Sequence, residues 1–305
     1  MLRPPVFVAL ACLLLAGARA TEDTKVWQPV VWNGERALVA ESESRKAIVS
    51  LERSRLMFFG PAAPATNLLL APATRDNRNY WGGHRLWLGP QSTWAKIWPP
   101  PDAWEYRGPE SFTTDAGVLR LLMPDAGDGW PRLTRTYRWA GPRLVCGAEL
   151  HGGTRPAQII HILQVPPEGR VLVAAVPETA APDGYVLLPA GDWPKLTAQF
   201  KPPLHVTPLA GHALELRHVE AVLKPGFRPQ ALIAHRAGFA LHVERGEQRG
   251  RVVAEPDAGF FTQVYLGGSE PFTELEQLSP AWSPAEPASF EIIVSAEPDQ
   301  PAAAR

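Results

Sequence analysis

The sequence predicts an all-β protein, built as a large antiparallel sandwich or barrel. About a dozen short runs rich in β-branched, aromatic and aliphatic residues recur at spacings of roughly 8–15 residues, bounded by Pro, Gly, Asp or Asn. Few windows carry the i, i+3, i+4 pattern of a helix. The 33 prolines among 305 residues are about twice the ordinary usage, and proline breaks helix interiors.

The predicted strands follow one another along most of the chain. In the first half they are Ala47–Glu52, Leu56–Phe59, Gly117–Met123, Arg132–Trp139, Arg143–His151, Ala157–Gln164 and Val171–Val176. In the second half they are Ala213–Val222, Gln230–His235, Phe239–Arg245, Phe260–Leu266, Phe272–Leu278 and Ser289–Ser295. No repeat of propeller or solenoid length is visible. One large domain is therefore expected.

The composition excludes several classes of protein. With 45% hydrophobic residues and a formal net charge of −1, the chain is too apolar and too weakly charged to be disordered. The 30 basic residues are balanced by 31 acidic ones, so no global basic field favours nucleic acid. Two cysteines cannot form a disulfide-dense scaffold.

The first twenty residues have the three-part pattern of a secretory signal peptide. Arg3 supplies a positive start, Val6 to Ala16 is apolar, and Ala18 and Ala20 are the small residues of a cleavage site. The apolar run of about eleven residues is shorter than the about twenty that a spanning helix needs, which disfavours a membrane anchor. We therefore expect cleavage after Ala20 and a periplasmic or secreted protein without a membrane span.

The mature chain is expected to be one domain over residues 21–296, followed by a flexible tail over 297–305. A lipoprotein reading would use Cys12, but that residue lies inside the apolar run. Cys146 is then the only cysteine of the mature protein, in an apolar strand where a buried, inert thiol is expected.

Motifs for the common cofactor and metal chemistries are missing from the sequence. It contains no phosphate-binding Gly-rich loop, no His-Glu-x-x-His, no paired-cysteine zinc signature and no Gly-x-Ser-x-Gly elbow. The eight histidines are scattered. We therefore expect no cofactor and no metal.

Aromatic and polar residues crowd one segment, Asp76 to Gln91, which contains Asn79, Trp81, His84, Arg85 and Trp87. Aromatic rings with a few placed polar groups suit the apolar faces and hydroxyl edges of a sugar. Gly82 and Gly83 allow a tight backbone turn. The segment is interpreted as a cleft wall. The alternative is that its tryptophans belong to the core of a large β domain.

Two carboxylates lie two residues apart in a predicted strand, at Glu274 and Glu276. Alternation along a strand places both on one face. Two neighbouring carboxylates repel, and this can raise the pKa of one of them into the range of a proton-transfer group. The alternative is an ordinary solvated sheet face.

Three stretches carry a family resemblance: Gly82–Gln91, Trp98–Asp102 and Val264–Pro280. Together they resemble an uncharacterised family of exported bacterial proteins placed with the galactose mutarotase-like (aldose 1-epimerase-like) superfamily. The resemblance spans about residues 45 to 295. It implies a β-supersandwich with few short helices and a sugar cleft on a concave face.

The resemblance also implies an activity without a cofactor, the interconversion of sugar anomers by acid–base catalysis. Glu276 resembles the base, with Glu274 as its alternate, and His151 resembles the acid. Arg85 resembles a substrate-binding arginine, with His84 beside it, and Lys224 resembles the lysine at the end of a family strand. With Asn79, Trp81 and Trp87 of the Asp76–Gln91 segment, they are the residues expected to bind a mono- or oligosaccharide. A monomer is expected.

The chain departs from the mutarotase pattern in three places. Leu150 stands where mutarotases have an Asn directly before the catalytic His. Gln277 follows Glu276 directly, whereas the family has one residue between this Glu and Gln. The family has a second histidine after the arginine segment, but no histidine lies between Arg85 and His151. Three alternatives therefore stay open: sugar or polysaccharide binding without catalysis, an accessory role in polysaccharide cleavage, and a structural envelope protein on the same fold.

Overall fold

The computed structural model describes residues 26–72, 81–91, 102–174, 177–179, 181–188, 207–209, 213–218, 222–228, 231–256 and 259–299. Over these ranges the chain forms 22 strands and one short helix. The all-β prediction is confirmed. No helix within these ranges is long and apolar enough to cross a membrane.

The elements of the first half are β1 (Gln28–Trp32), β2 (Glu35–Ser42), β3 (Arg45–Ser50), β4 (Arg55–Pro61), β5 (His84–Gly89), α1 (Asp102–Glu105), β6 (Ser111–Asp115), β7 (Val118–Leu122), β8 (Arg132–Ala140), β9 (Arg143–His151) and β10 (Ala157–Val165). Those of the second half are β11 (Arg170–Ala174), β12 (Val186–Leu187), β13 (Thr207–Leu209), β14 (Ala213–Leu216), β15 (Val222–Leu223), β16 (Pro225–Phe227), β17 (Ala231–Arg236), β18 (Phe239–Arg249), β19 (Val252–Ala254), β20 (Thr262–Gly267), β21 (Thr273–Trp282) and β22 (Ala288–Pro298).

The strands form three antiparallel sheets. The first four make a meander in the order β1-β2-β3-β4. A ten-stranded sheet has the order β13-β14-β11-β17-β18-β22-β9-β8-β7-β6. An eight-stranded sheet has the order β12-β16-β20-β21-β10-β5, with β15 and β19 pairing with β20 and β21. Strands that are distant in sequence, such as β5 and β21, are thereby brought to the same sheet.

The main core lies between the two large sheets. Leu163 of β10 and Leu275 of β21 enter it from the eight-stranded sheet, and Leu144 and Ile292 enter from the ten-stranded sheet. Because side chains alternate along a strand, the residues next to Leu163 and Leu275 point to the opposite face of the eight-stranded sheet. That second face holds the candidate site.

Most predicted strands coincide with an observed one, including β8, β9, β10, β18 and β21. Eight of the observed strands were not predicted, and β5 among them lies within the segment interpreted as a cleft wall; the eight are β1, β2, β5, β6, β12, β13, β16 and β19. Glu297 and Pro298, expected to belong to the tail, are part of β22, where Glu297 pairs with Ala240.

Candidate active site

The site is built on β21, which carries Glu274 and Glu276 on one face, away from the main core. The exposed fractions of these two residues are 5% and 1%. Leu275 between them packs in the core. Glu274 and Glu276 therefore share one face of the strand, as the alternation predicts. That face is buried, whereas an ordinary solvated sheet face would be exposed.

Neighbouring strands extend this surface, which we call the carboxylate face. Its members are Arg85 and Trp87 of β5, Ile160, Ile162 and Gln164 of β10, Gln263 and Tyr265 of β20, and Glu274, Glu276 and Leu278 of β21. Four of them, Trp87, Ile160, Ile162 and Leu278, pack together as a separate buried apolar cluster. The face therefore joins an apolar floor to a group of charged and amide side chains.

Each glutamate has a glutamine directly opposite on a neighbouring strand. Gln164 Nε2 donates to Glu274 Oε1 at 2.9 Å, and Gln263 stands opposite Glu276. Gln263 Nε2 donates to the carbonyl of Phe260 at 3.1 Å. Because each amide nitrogen is committed as a donor, the orientation of both amides is determined.

Two buried amide oxygens of the face, Gln164 Oε1 and Gln263 Oε1, have no hydrogen-bond partner among the described residues. Buried polar atoms in native proteins are nearly always hydrogen-bonded, to protein, water or ligand. Both oxygens are acceptors, so the group that would satisfy them must bring donors.

Two cations reach the carboxylates. Lys224, between β15 and β16, places its Nζ 3.0 Å from Glu276 Oε2 in an ion pair and donates to Gln91 Oε1 at 3.1 Å. Arg85 of β5 places its Nη1 at a longer 3.5 Å from Glu274 Oε1. Its guanidinium also lies over the Trp87 ring, 4.6 Å from the centroid.

A third carboxylate, Glu105 at the end of α1, holds Arg85 from the other side. Its Oε1 accepts from Arg85 Nε at 2.7 Å and lies 2.6 Å from Nη2 of Arg55. Sequence reasoning missed Glu105. The Trp98–Asp102 stretch just before it carries part of the family resemblance. The local sequence Ala103-Trp104-Glu105 does not indicate which strand the Glu105 carboxylate contacts.

The environment of Glu274 raises its pKa to about 7. Burial is the largest cause, because it penalises the charged form. The cation of Arg85 lowers the pKa, the charge of Glu276 raises it, and the Gln164 hydrogen bond lowers it. Glu274 can therefore both donate and accept a proton near neutral pH.

His84 is not on the carboxylate face, although it precedes Arg85. Alternation turns it to the core side, where its Nε2 lies 2.9 Å from Nδ1 of His161. His161 Nε2 must donate to the Phe290 carbonyl at 3.1 Å, so Nδ1 is its acceptor and His84 Nε2 is the donor. Burial lowers the pKa of both rings, that of His161 to about 3. His84 was expected to contact a substrate on the same face as Arg85. It contacts His161 on the core side instead.

His151 is not brought to the glutamates. It ends β9 in the ten-stranded sheet, with 52% of its side chain exposed and its Nε2 3.8 Å from Glu149 Oε2. Glu274 and Glu276 are buried in the other sheet. The structure therefore does not supply the pairing that the predicted acid role of His151 requires.

The remaining predicted binding residues divide between several places. Trp87 and Lys224 lie at the site, whereas Trp81 packs against the guanidinium groups of Arg53 and Arg55, 5.8 and 5.7 Å from its ring centroid. Asn79 lies outside the described residues. The tryptophan-rich segment is thus partly a site wall and partly core.

The Gly82-Gly83 turn serves close packing within the protein. Both residues have φ of +71°, and a Cβ added at Gly83 would stand 2.4 Å from the carbonyl oxygen of Leu56. At Gly82 the same atom would stand 2.1 Å from the carbonyl oxygen of Leu70. The turn delivers β5 to the edge of the eight-stranded sheet with Arg85 on the carboxylate face.

No group of three or more His, Cys, Asp or Glu side chains suited to a metal occurs in the described part of the chain. The six histidines described there lie off the carboxylate face: His84 and His161 on its core side, His151 and His235 in the ten-stranded sheet, His218 against Thr273 and Gly268, and His242 in β18. The proton-transfer groups available on the face are therefore carboxylates, a lysine and the phenol of Tyr265, the cross-strand partner of Glu274.

Comparison with known proteins identifies the fold. No family model matches the sequence, and no curated protein matches it. A candidate aldose 1-epimerase from Escherichia coli K12 superposes with a TM-score of 0.57 at 12% identity, over 86% of this chain and 99% of its own. A galactose mutarotase-like protein from Lactobacillus casei ATCC 334 gives 0.57 at 10% identity, over 86% and 100%.

A galactose mutarotase related enzyme from Lactobacillus acidophilus gives a TM-score of 0.52 at 8% identity, over 86% of this chain and 97% of its own. These identities are low, so the similarity concerns the fold. The β-sandwich that the sequence resemblance implied is confirmed: the chain has the galactose mutarotase-like fold.

Proposed function

We propose that the protein binds a carbohydrate on the carboxylate face and interconverts its anomers, as an aldose 1-epimerase-like isomerase. The observation that carries the proposal is the pair of buried amide oxygens, on Gln164 and Gln263, that have no partner among the described residues and stand opposite the carboxylates Glu274 and Glu276. A sugar presents several hydroxyl donors on one ring, and each unsatisfied buried acceptor costs about 1–3 kcal/mol until a donor reaches it.

The apolar part of the face supports the same class of ligand. Trp87 lies beside Ile160, Ile162 and Leu278, next to the charged groups. Sugars have apolar C–H surfaces that pack on rings and aliphatic side chains, while their hydroxyl edges need polar partners. The solved structures with this fold whose names refer to aldose 1-epimerases and galactose mutarotases agree with this choice.

The two carboxylates can perform the proton transfers. Glu276 takes the proton of the anomeric hydroxyl while protonated Glu274 gives a proton to the ring oxygen, so that the C1–O5 bond breaks and an aldehyde forms. Rotation about C1–C2 presents the other face of the aldehyde. The O5 proton then returns to Glu274 and the Glu276 proton to the carbonyl oxygen as the ring closes. Each transfer contributes about 10²–10⁴-fold.

The test is the equilibration of freshly dissolved α-glucose and α-galactose, followed by NMR. We expect the protein to exceed the spontaneous rate, and Glu276→Gln and Glu274→Gln each to lose about 10²-fold or more. Glu291→Gln is the matched control, since Glu291 pairs with Arg138 in the ten-stranded sheet. Equal rates for the wild-type protein and both site variants would exclude the two carboxylates as catalysts.

His151→Gln separates this assignment from the one that the sequence resemblance implies. If His151 is the acid, its variant loses activity to the same extent as the glutamate variants. If Glu274 is the acid, catalysis at high pH falls as Glu274 loses its proton, and Glu274→Gln abolishes that dependence. Comparison of the His151→Gln and Glu274→Gln profiles with the wild-type profile therefore distinguishes the two donors.

Binding without catalysis is the second candidate, and one observation favours it. No histidine is found on the carboxylate face among the described residues, and Glu276 is already paired with Lys224. In that case saturation-transfer NMR detects sugar binding that Gln164→Leu and Gln263→Leu weaken, while equilibration stays at the spontaneous rate. Absence of binding to mono- and oligosaccharides would favour a structural role instead.

We also propose that the protein acts outside the cytoplasm. The pattern of Arg3, the apolar run and the Ala18–Ala20 cleavage site supports export. Fractionation of cells and N-terminal sequencing of the mature chain test this. A mature protein that begins at Thr21 in the periplasm or medium is the expected result, and an uncleaved cytoplasmic chain would contradict it.

A further inference from the structure

Glu105 belongs to none of the strands of the carboxylate face, yet it is tied to it. The residue is 1% exposed. Its Oε1 lies 2.6 Å from Arg55 Nη2 and accepts a hydrogen bond from Arg85 Nε at 2.7 Å. Arg85 Nη2 makes a further short ion-pair contact with the same oxygen. One carboxylate oxygen therefore holds the Nε–Nη2 edge of the Arg85 guanidinium.

Glu274 contacts the third nitrogen of the same guanidinium, Nη1, at a longer distance. Arg85 Nη1 is 3.5 Å from Glu274 Oε1, beyond the usual 2.7–3.2 Å of a hydrogen bond from nitrogen. Arg85 is thus shared unequally between two carboxylates on opposite sides. The nearer partner is the one on α1.

We propose that Glu105 is a positioning residue that holds Arg85 by its far edge and so keeps this cation from closing onto Glu274. The effect on catalysis rests on the proposed function, whereas the effect on the Glu274 proton does not. A guanidinium in close contact favours the charged form of a carboxylate. Glu105 therefore preserves the protonated form of Glu274 near neutral pH.

The electrostatics of Glu274 agree with this arrangement. Its pKa is raised to about 7 because the effect of burial outweighs the opposing effect of Arg85. Removing the charge of Glu105 releases Arg85 from its nearer carboxylate. Arg85 lowers the pKa of Glu274, and a guanidinium favours the charged form more strongly the closer it stands. The Glu274 pKa is therefore expected to fall in the variant.

Other charged and titratable groups surround the two carboxylates. Around Glu274 they are Arg85 of β5, Glu276 on its own strand, Lys224 before β16 and Tyr265 of β20, its cross-strand partner. Around Glu105 they are Arg55 of β4, Arg85 of β5 and Arg135 of β8, with Tyr106 beside the first two. All remain in the Glu105→Gln variant, so a change in the Glu274 titration reports on Glu105.

The test compares Glu105→Gln with Glu105→Asp and with a matched control, Glu35→Gln. Glu35 is 3% exposed and accepts from Arg53 at 2.8 and 2.6 Å, so its loss also removes one side of a buried ion pair. It lies in β2 of the four-stranded sheet, whereas Glu274 lies in β21 of the eight-stranded sheet. A general effect of destabilisation would appear in both glutamine variants.

Carbon-13 NMR of protein labelled at glutamate carboxyls follows the proton directly, and Glu274→Gln identifies the Glu274 signal. We expect the midpoint of its titration to fall by about one pH unit or more in Glu105→Gln. It should stay at the wild-type pH in Glu35→Gln and return toward it in Glu105→Asp, which keeps the charge. The alkaline limb of the anomer-equilibration profile should move with it.

An unchanged Glu274 midpoint in folded Glu105→Gln overturns the proposal. Glu105→Gln leaves the buried cations Arg55 and Arg85 without their shared carboxylate. The double variant Arg55→Met/Glu105→Gln is therefore measured in parallel, because it removes one cation together with the anion. An unchanged Glu274 midpoint in the double variant also overturns the proposal. If wild-type protein equilibrates no sugar, the proposed function fails while the carbon-13 titration still decides the role of Glu105.

Discussion

Replacing Glu274 by glutamine removes a buried group whose proton affinity differs between the folded and unfolded chain. In the folded protein its pKa is about 7, against an ordinary value of 4.5. The folded state therefore keeps a proton that the unfolded chain releases between these values. The stability that this group contributes is fully present below pH 4.5 and is lost as the pH rises through 7.

The size of the effect follows from the two pKa values. One pKa unit corresponds to about 1.36 kcal/mol, and the difference of 7 − 4.5 = 2.5 units gives an upper limit of about 3 kcal/mol. Between about pH 5 and pH 8, linkage gives a loss of about 2.5 kcal/mol in the free energy of unfolding of the wild-type protein relative to Glu274→Gln. Titrations elsewhere in the molecule cancel in this comparison.

Urea denaturation at several pH values measures the difference. We expect the wild-type protein to lose its advantage over Glu274→Gln steadily from about pH 5 to pH 8. Gln158→Leu is the non-titrating control, since Gln158 is a buried amide in the same sheet that donates to the Ser279 carbonyl. A difference between wild type and Glu274→Gln that is constant with pH would refute the raised pKa of Glu274.

Three further results are expected from other parts of the molecule. In urea denaturation, Gly83→Ala should destabilise the protein by clearly more than Gly34→Ala. Both glycines have positive φ, but only at Gly83 would the new Cβ clash with a backbone carbonyl. Similar losses of about 1 kcal/mol for the two variants would contradict this. Burial lowers the pKa of His84 and His161, so below about pH 6.5 the wild-type protein should lose stability relative to the double leucine variant, by up to about 1.4 kcal/mol per pH unit for each ring. A difference that does not change with pH in urea denaturation would contradict this. Burial raises the pKa of the Cys146 thiol, so mass mapping should find it alkylated by iodoacetamide only after unfolding, and labelling in the native protein would contradict its burial.

Local patterns of the sequence were sufficient for most strands and for the relation of Glu274 to Glu276. Alternation has a period of two, so residues two apart on a strand share a face whatever the strand pairs with. The same rule separates His84 from Arg85 once β5 is known to be a strand. The polar and aromatic composition of Asp76–Gln91 predicts a cleft wall and gives no sign of a strand, so His84 is expected beside Arg85 but lies on the opposite face.

Hydrophobic alternation and turn residues act over a few neighbouring positions, so they are enough to predict a many-stranded antiparallel β protein with two carboxylates on one face of a strand. The neighbours of each strand depend on the tertiary structure. It joined Gln164, Gln263 and Lys224 to those carboxylates, placed His151 in the other sheet, and brought Glu105 from α1 to Arg85. Such pairings depend on the register and order of strands that are far apart in sequence, and they are selected by packing of the whole core, which no local pattern encodes.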